Sequence, residues 1–338
     1  MSMSRTHPDP SQAPGADMKR GRDRLVMAVI LLALAAGLLG LALATGWRET
    51  LEQLRRVGWQ QISILLLLSL VNYLFRGVRW HIFARRLGMN TGLIQDLRHY
   101  LGGFAMTVTP GRVGELIRMR WLHRETGWTF ARTAPLVLVD RASDLAAMAV
   151  ILGIGVGFSA RGITGALPVT FAAIVAALVA TRPSLLAALA NAGYRITGRW
   201  PRLFARVRSA ARSLAQFSGP GILAVAALIG AAGWFAEAYA FHLLLGWLGT
   251  DISLATAAAI FIFATLAGGL TGAPGGVGGA EAAMVALLVL EGVPLETGLA
   301  ATVIIRATTL WFAILIGLAV FPLAERHSKK VRDALEKN

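Results

Sequence analysis

Long runs of apolar residues alternate along the chain with short segments that carry most of the charge. A helix needs roughly 17–25 residues to cross the hydrocarbon core of a bilayer. Runs of this kind predict transmembrane helices at Leu25–Thr45, Trp59–Phe75, Ala134–Phe158, Ile163–Thr181, Gly221–Leu248 and Leu299–Pro322. With 56% hydrophobic and 15% charged residues, the chain has too little polar surface for a water-soluble domain. We therefore predict an all-α, polytopic membrane protein with about six full spans.

The first apolar run has a second interpretation. Basic residues of the segment 1–24 precede it, and Ala42-Leu43-Ala44 resembles a signal-peptidase site. The run is longer than the about 7–15 apolar residues of a cleavable signal peptide. We therefore predict an uncleaved first transmembrane helix over 25–45, preceded by a disordered, basic N-terminus.

Two further apolar stretches are interrupted by Pro-Gly sequences. The segment 93–124 contains "TPGRVGEL", and the segment 254–291 contains "APGGVGGAE". We predict that each segment is a re-entrant helical hairpin that leaves the membrane on the side from which it entered; two full crossings are the alternative for 254–291. Irregular backbone at membrane depth requires protein or a water-filled cavity to satisfy its polar groups. The residues predicted to open the backbone are Pro110, Gly111, Gly114, Pro274, Gly275, Gly276, Gly278 and Gly279.

Basic residues are concentrated in particular loops and predict the orientation of the chain. Residues 182–218 contain seven arginines and no acidic residue, whereas Arg306 is the only Lys or Arg between Gly219 and Ala324. The positive-inside rule then places the basic loops and both termini in the cytoplasm, and residues 249–253 and 291–298 outside. The expected location is the inner, cytoplasmic membrane.

The basic loop 182–218 allows two interpretations. Apolar residues recur in it at helical spacing among the arginines, which is typical of an amphipathic helix lying on an anionic leaflet. The alternative is a solvated loop. Basic charge does not predict nucleic-acid binding here, because it follows the loops. The apolar residues concerned are Leu203, Val207, Ala210, Leu214 and Phe217.

The two Pro-Gly stretches belong to an internal repeat. Arg141 of "RASDL" follows Pro110 by 31 residues, and Arg306 of "RATTL" follows Pro274 by 32 residues. Ordered matches at nearly equal spacing indicate a duplication, and the charge distribution predicts that the copies have inverted topology, as in many transporters. The predicted organisation is a first copy at 46–181, a cytoplasmic loop at 182–218, a second copy at 219–322 and a tail at 323–338.

Charged residues inside the apolar segments predict a polar chamber within the membrane. A charge at a helix centre costs about 2.5–3.5 kcal/mol on insertion scales, so such residues are expected to face a polar interior. Arg141 and Arg306 are expected either to brace the hairpins through Glu115 and Glu281 or to bind an anionic head group, since guanidinium suits phosphate. The candidate substrate-binding residues are Arg112, Glu115, Arg118, Asp140, Arg141, Asp144, Glu237, Glu281 and Arg306.

Other polar residues near the spans predict no chemistry. Arg76, Arg79 and Trp80 directly follow the run Trp59–Phe75, and we interpret them as anchors of a helix end at the membrane interface. The chain has no cysteine and no H-E-x-x-H or G-x-x-x-x-G-K-[ST] pattern. No catalytic residue, metal site or cofactor is predicted.

Taken together, "TPGRVGEL", "DRASDL", "PGGVGGAE" and "RATTL" resemble the transmembrane region of the lysylphosphatidylglycerol synthase family, which includes stand-alone, flippase-like members. The resemblance covers about Leu25 to Pro322, and Asp140 stands where the family pattern leads us to expect Glu. In bifunctional members this region is associated with moving an aminoacylated phospholipid between leaflets. Their separate C-terminal lysyl-transfer domain is not expected here, because the sequence ends at Asn338.

The resemblance implies a lipid flippase or scramblase and no enzymatic activity. The expected lipid is an anionic phospholipid, a polyprenyl-linked lipid or a hopanoid. Bifunctional members are associated with a phospholipid, and stand-alone relatives are linked to diverse lipids that include polyprenyl-linked sugars and hopanoids. An integral-membrane transferase that modifies a lipid is one alternative, and a scaffold for lipid-biosynthetic enzymes is another. Without a nucleotide-binding motif, the membrane potential, a proton gradient or mass action would have to drive transport.

Overall fold

A computed structural model describes residues 52–107, 113–158, 166–198 and 200–335 of the chain. The predicted helix at 25–45 and the hairpin residues Pro110, Gly111 and Arg112 lie outside the described residues. Within those ranges all regular structure is helical, which confirms the all-α part of the prediction. The helices are α1 (Trp59–Arg86), α2 (Leu93–Gly102), α3 (Val113–Thr126), α4 (Phe130–Gly157), α5 (Ala166–Thr181), α6 (Pro183–Thr197), α7 (Pro201–Leu214), α8 (Pro220–Trp247), α9 (Leu254–Leu270), α10 (Gly279–Leu290), α11 (Leu295–Arg306) and α12 (Phe312–Leu335).

Three long apolar helical segments identify a multi-pass membrane protein. They are α1, α8 and the continuous stretch Leu295–Ala334, in which a π-helical turn at Ala307–Trp311 joins α11 to α12. The end of α5 and the whole of α6 are apolar enough to form a fourth span, but a bend of 103° separates them. The 28 residues of α4 could also cross a bilayer by length, at about 1.5 Å per residue. The count of six spans stays a prediction.

Two helices extend beyond the apolar runs that predicted them. Helix α1 continues past Phe75 to Arg86, and α12 continues past Pro322 to Leu335. Charged residues end an apolar run in the sequence, but they do not end a helix when partners neutralise them. The predicted tail at 323–338 therefore begins as part of α12.

The second Pro-Gly segment is a broken helical hairpin. Helices α9 and α10 pack together, and the chain between them passes through a 3₁₀ turn at Pro274–Gly276. Gly275, Gly276 and Gly278 have φ angles of 64°, 69° and 88°, in the left-handed region that favours glycine. Helix α10 begins at Gly279. Whether the hairpin re-enters or crosses stays a prediction.

The first Pro-Gly segment has a similar construction on its described sides. After α2 the chain forms a 3₁₀ turn at Gly103–Met106, and α3 begins beyond the undescribed residues. Gly114 allows α3 to touch that turn, because a Cβ there would lie 2.6 Å from the Gly103 carbonyl oxygen. Helix α12 packs against α2 and the same turn.

The two segments predicted to be copies, 46–181 and 219–322, meet along α1 and α8, which have 28 residues each. These helices cross at Asn72 and Gly233, where a Cβ on the glycine would lie 2.8 Å from Asn72 Oδ1. Each of these residues is the fourteenth of its helix, so equivalent positions face one another. An apolar core next to the crossing includes Leu152, Phe241, Leu245, Phe261 and Ile305.

Candidate functional site

Buried ion pairs connect α1 with α4. Arg76 Nη2 lies 2.6 Å from Asp144 Oδ2, and Arg79 Nη2 lies 2.6 Å from Asp140 Oδ1 and 2.7 Å from Asp144 Oδ1. Trp234 Nε1 on α8 also donates a 3.2 Å hydrogen bond to Asp144. The interpretation of Arg76 and Arg79 as interfacial anchors is therefore wrong. Both arginines are buried, and they neutralise carboxylates that would be very unfavourable alone inside a membrane protein.

The same ion pair occurs once in each copy. Arg141 Nε lies 2.8 Å from Glu115 Oε1, and Arg306 Nε lies 2.6 Å from Glu281 Oε1. Each glutamate is the third residue of its helix as bounded above, and each arginine is the twelfth residue of the next helix. The bracing contact is thus present in both copies. Arg141 also lies 3.5 Å from Asp144 on its own helix, as the spacing predicts.

Arg306 holds both sides of the second Pro-Gly break. Its Nη2 donates a 2.9 Å hydrogen bond to the Gly275 carbonyl, which lies in the 3₁₀ turn before α10. Glu281 in turn accepts a 2.7 Å hydrogen bond from the Gly278 backbone N–H at the start of α10. A carboxylate at this position satisfies one of the unpaired N–H groups of a helix terminus. The charged pair therefore fixes the turn and the helix start together.

Arg118 on α3 has a different environment. Its guanidinium carbon lies 4.1 Å from the ring centroid of Tyr100 and 5.4 Å from that of Trp80. The residue is 3% exposed, and among the described residues no carboxylate lies within 4.0 Å and its Nε and Nη1 have no hydrogen-bond partner. Aromatic faces stabilise a desolvated guanidinium by about 2 kcal/mol, without neutralising it. Arg118 therefore keeps two buried N–H donors without a partner among the described residues.

Two adjacent cavities lie between the copies, with volumes of about 500 and 240 Å³. Among the described residues, four arginines and two carboxylates line the larger cavity: Arg76, Arg118, Arg141, Arg306, Asp144 and Glu237. The smaller cavity is lined by three of these arginines and by Glu115. The two cavities share a wall that contains Arg118, Arg141 and Arg306. The charged side chains that line the cavities thus carry more positive than negative formal charge.

Glu237 on α8 occupies the position equivalent to that of Arg76 on α1. Each is the eighteenth residue of its helix, and both line the larger cavity. Glu237 is buried, and among the described residues it has no ion pair within 4.0 Å. The equivalent positions thus present a cation from the first copy and an acid from the second.

Most of the sequence-predicted site residues meet at these cavities. Asp140 and Glu281 do not line the larger cavity. Glu281 pairs with Arg306, which lines it, and Asp140 pairs with Arg79. Arg112 lies outside the described residues. The residues that line a cavity as predicted are Glu115, Arg118, Arg141, Asp144, Glu237 and Arg306.

Sequence reasoning missed Arg76, Tyr73 and Trp234, which also line the larger cavity. The Tyr73 hydroxyl donates a hydrogen bond to the Thr309 carbonyl in the π-helical turn. One signal in the sequence could have identified Arg76. Aligning His81 with His242 places Arg76 opposite Glu237, and Glu237 was a candidate.

A helical, multi-pass membrane protein with an arginine-lined cavity and two matching Arg–Glu ion pairs is the class that these observations define. Residues 28–317 match the family described as the lysylphosphatidylglycerol synthase TM region. The chain therefore belongs to that family, as the motifs indicated.

Two relatives are proteins of Methanothermobacter thermautotrophicus, each described as a UPF0104 membrane protein. One is 27% identical over 337 residues, which cover 91% of this chain and 98% of the relative. The other is 24% identical over 311 residues, which cover 84% of this chain and 89% of the relative. The likeness thus extends over nearly the whole of all three chains.

Proposed function

We propose that the protein transports lipid by passing an anionic head group through the cavities between the two copies while the acyl chains stay in the bilayer. The observation that carries this proposal is the shared wall of Arg118, Arg141 and Arg306, to which both copies contribute. A polar path through the membrane lowers the desolvation cost of a charged head group, which is the main barrier to its unassisted passage.

Arginine suits this role because its planar guanidinium binds a phosphate or carboxylate through two parallel N–H donors. The Arg141 side chain is 36% exposed and that of Arg306 is 12% exposed. Arg118 is more buried but lacks a carboxylate partner among the described residues. The three arginines therefore offer a head group both an accessible contact and a desolvated one.

The paired glutamates give the site a means of responding to its ligand. A bound anion competes with Glu115 for Arg141 and with Glu281 for Arg306. Because each glutamate lies at the start of a hairpin helix, loss of its partner loosens that hairpin. Alternate release of the two hairpins would open the cavities first to one leaflet and then to the other, as inverted repeats allow.

The substrate class that fits is a phosphate-bearing lipid, either a phospholipid or a polyprenyl phosphate. We assign no covalent chemistry to the site. Membership of the family supports a role that involves membrane lipid, and the excess of arginine supports the anionic character of the head group.

Purified protein in liposomes with a fluorescent lipid and a leaflet-selective quencher tests the proposal. We expect faster exchange of an anionic phospholipid in these liposomes than in protein-free ones, and a smaller gain for a zwitterionic lipid. Exchange no faster than in empty liposomes, for phospholipid and polyprenyl phosphate alike, would reject transport. A transferase would instead convert the lipid to a product that mass spectrometry detects. A scaffold would show neither result.

A further inference from the structure

The chain turns sharply after α5. The axes of α5 and α6 are inclined at 103° across Thr181, Arg182 and Pro183. A helix tolerates the missing N–H of a proline at its first position, here Pro183. The proline also restricts the preceding Arg182 to an extended conformation, with φ −113° and ψ 92°. The apolar helix α5 exposes Phe171 and Leu178, as expected of a helix that faces lipid. Because the bend turns α6 nearly perpendicular to α5, α6 lies close to the membrane plane where α5 runs along the membrane normal.

Helix α6 has two apolar faces, and only one of them packs against the protein. On the packed face, Tyr194 contacts Phe204 of α7 with ring centroids 5.9 Å apart. On the other face, Leu185, Leu189 and Ile196 are 47%, 56% and 85% exposed. Their spacing of four and seven residues aligns them along one stripe of a helix. This exposed stripe continues at the loop residue Trp200 and at Leu203, which are also exposed.

The end of α7 and the 3₁₀ turn after it hold α6 and α7 to the rest of the protein. Leu214 is buried at its end, and Phe217 packs edge-to-face on Phe83 of α1 with ring centroids 5.5 Å apart. The stripe that the sequence assigned to a membrane-facing helix thus points partly inward. Because α7 is held to α1, the stripe on α6 is left as the uncovered apolar surface of this region.

The charge of the segment matches an anionic surface. Residues 182–218 contain seven arginines and no acidic residue. Among the described ones, Arg182, Arg195, Arg202, Arg206 and Arg212 are exposed. An apolar stripe in the membrane plane with flanking arginines is the pattern of an interfacial helix on acidic lipid.

We propose that α6 and α7 form a membrane-surface hairpin, in which the stripe Leu185, Leu189 and Ile196 inserts into the interface of an anionic leaflet. The arginines at the two ends of α6, Arg182 and Arg195, bind its phosphate groups. The positive-inside rule makes this the cytoplasmic leaflet. The inference does not depend on lipid transport, since it concerns only how the protein is seated in its membrane.

Spin labels on the full chain test the hairpin directly. The native chain has no cysteine, so Leu189→Cys, Ile196→Cys and the control Arg212→Cys each give a single label site. In vesicles containing phosphatidylglycerol, labels at 189 and 196 should be more accessible to oxygen than to a water-soluble nickel chelate. The label at 212 should show the reverse. In phosphatidylcholine vesicles, labels at 189 and 196 should move toward water.

Three results would overturn the proposal. Nickel accessibility at 189 and 196 equal to that at 212 would mean that the hairpin is solvated. Protection of both labels from both reagents would mean that a second protein surface covers the stripe. Equal insertion depth in the two kinds of vesicle would reject recognition of anionic lipid.

Discussion

Arg306 Nε lies 2.6 Å from Glu281 Oε1, and this contact repeats the 2.8 Å pair of Arg141 with Glu115 in the other half of the chain. The four residues hold equivalent places in their helices. A duplicated chain can vary freely at surface positions, but a partly buried cation and its counter-ion depend on each other. Both arginines of the repeated pair line the smaller cavity, so corresponding residues of the two halves meet at one site.

Removing the charge of Glu281 should destabilise the protein. In Glu281→Gln, Arg306 stays buried without its counter-ion, and breaking a buried pair costs about 3–5 kcal/mol. We expect a markedly lower melting temperature in detergent. Adding Arg306→Gln should recover part of the loss, because no unpaired charge is then left. The exposed Asp251→Asn is the control, and an unchanged melting temperature in Glu281→Gln would show that the pair is not structural.

The turn of the second hairpin should tolerate no side chain at Gly276. Its φ of 69° is strained for alanine, and a Cβ would lie 3.1 Å from the Gly268 carbonyl carbon. A left-handed residue other than glycine costs about 1–2 kcal/mol before any clash. Gly246→Ala is the matched control, since a Cβ there meets nothing within 4 Å. Equal yields and melting temperatures for Gly276→Ala and Gly246→Ala would contradict this account of the hairpin.

The pair of Glu125 with His99, which joins the end of α3 to α2, should make stability depend on pH. Their Nε2–Oε1 distance is 3.1 Å, and Gln95 and Arg98 also contact Glu125. Burial raises the pKa of Glu125, but His99, Gln95 and Arg98 together outweigh that effect and hold the pKa below its usual range. A lowered folded-state pKa gives stability above the unfolded value of about 4.3, and this stability is lost as pH falls below it.

Glu125→Gln should therefore lower the melting temperature at pH 7. The difference in melting temperature between Glu125→Gln and the wild type should narrow as the pH falls below about 4.3, where the wild-type carboxylate also becomes protonated. Thermal unfolding from pH 7 to the lowest pH at which the protein stays soluble measures this difference. A difference that stays constant through that window would mean that the Glu125 carboxylate does not supply the stability.

The predicted orientation can be tested with cysteine labels. Asp251 and Arg212 are both exposed, and the native chain has no cysteine. In intact cells a membrane-impermeant thiol reagent should label Asp251→Cys, which is predicted to be outside, and should not label Arg212→Cys. Lysed cells should give labelling of both and provide the control. The opposite pattern would reverse the orientation, and labelling of neither or both would reject the inverted arrangement.

The sequence predicted the parts of the structure that depend on repeated spacing. Nearly equal distances, 31 and 32 residues, from each Pro-Gly stretch to Arg141 and Arg306 indicated two matching braces, because a brace must keep its reach when a segment is duplicated. The glycines of the second hairpin were predictable for a similar reason. Positive φ at Gly275, Gly276 and Gly278 favours a residue without a side chain.

The parts that depend on partners distant in sequence were not predictable. Arg76 and Arg79 follow an apolar run, which is also where interfacial anchors occur. Only the folded structure shows that Asp140 and Asp144 lie opposite them. The sequence therefore assigned these two arginines to the membrane interface, although both are buried in the protein. The exposed stripe on α6 was likewise hidden, because its leucines stand among others that pack inward.

Arg118 tests head-group binding better than the braced arginines do. Arg306 uses two nitrogens for two partners, so even Arg306→Lys would lose a structural contact. Arg118 has no carboxylate within 4.0 Å among the described residues, and its loss leaves no described acid without a partner. The control is Arg120→Gln on the same helix, where the side chain is 41% exposed and pairs with Glu325.

The most direct measurement is the rate of anionic-lipid exchange in liposomes that contain wild-type protein, Arg118→Gln or Arg120→Gln. A charge-assisted hydrogen bond contributes about 1.5–3 kcal/mol, so its loss should slow exchange about tenfold or more. We predict that loss in Arg118→Gln, measured on protein that is still folded, and wild-type exchange in Arg120→Gln. Wild-type exchange of the anionic lipid in Arg118→Gln would contradict an arginine-lined path for the head group.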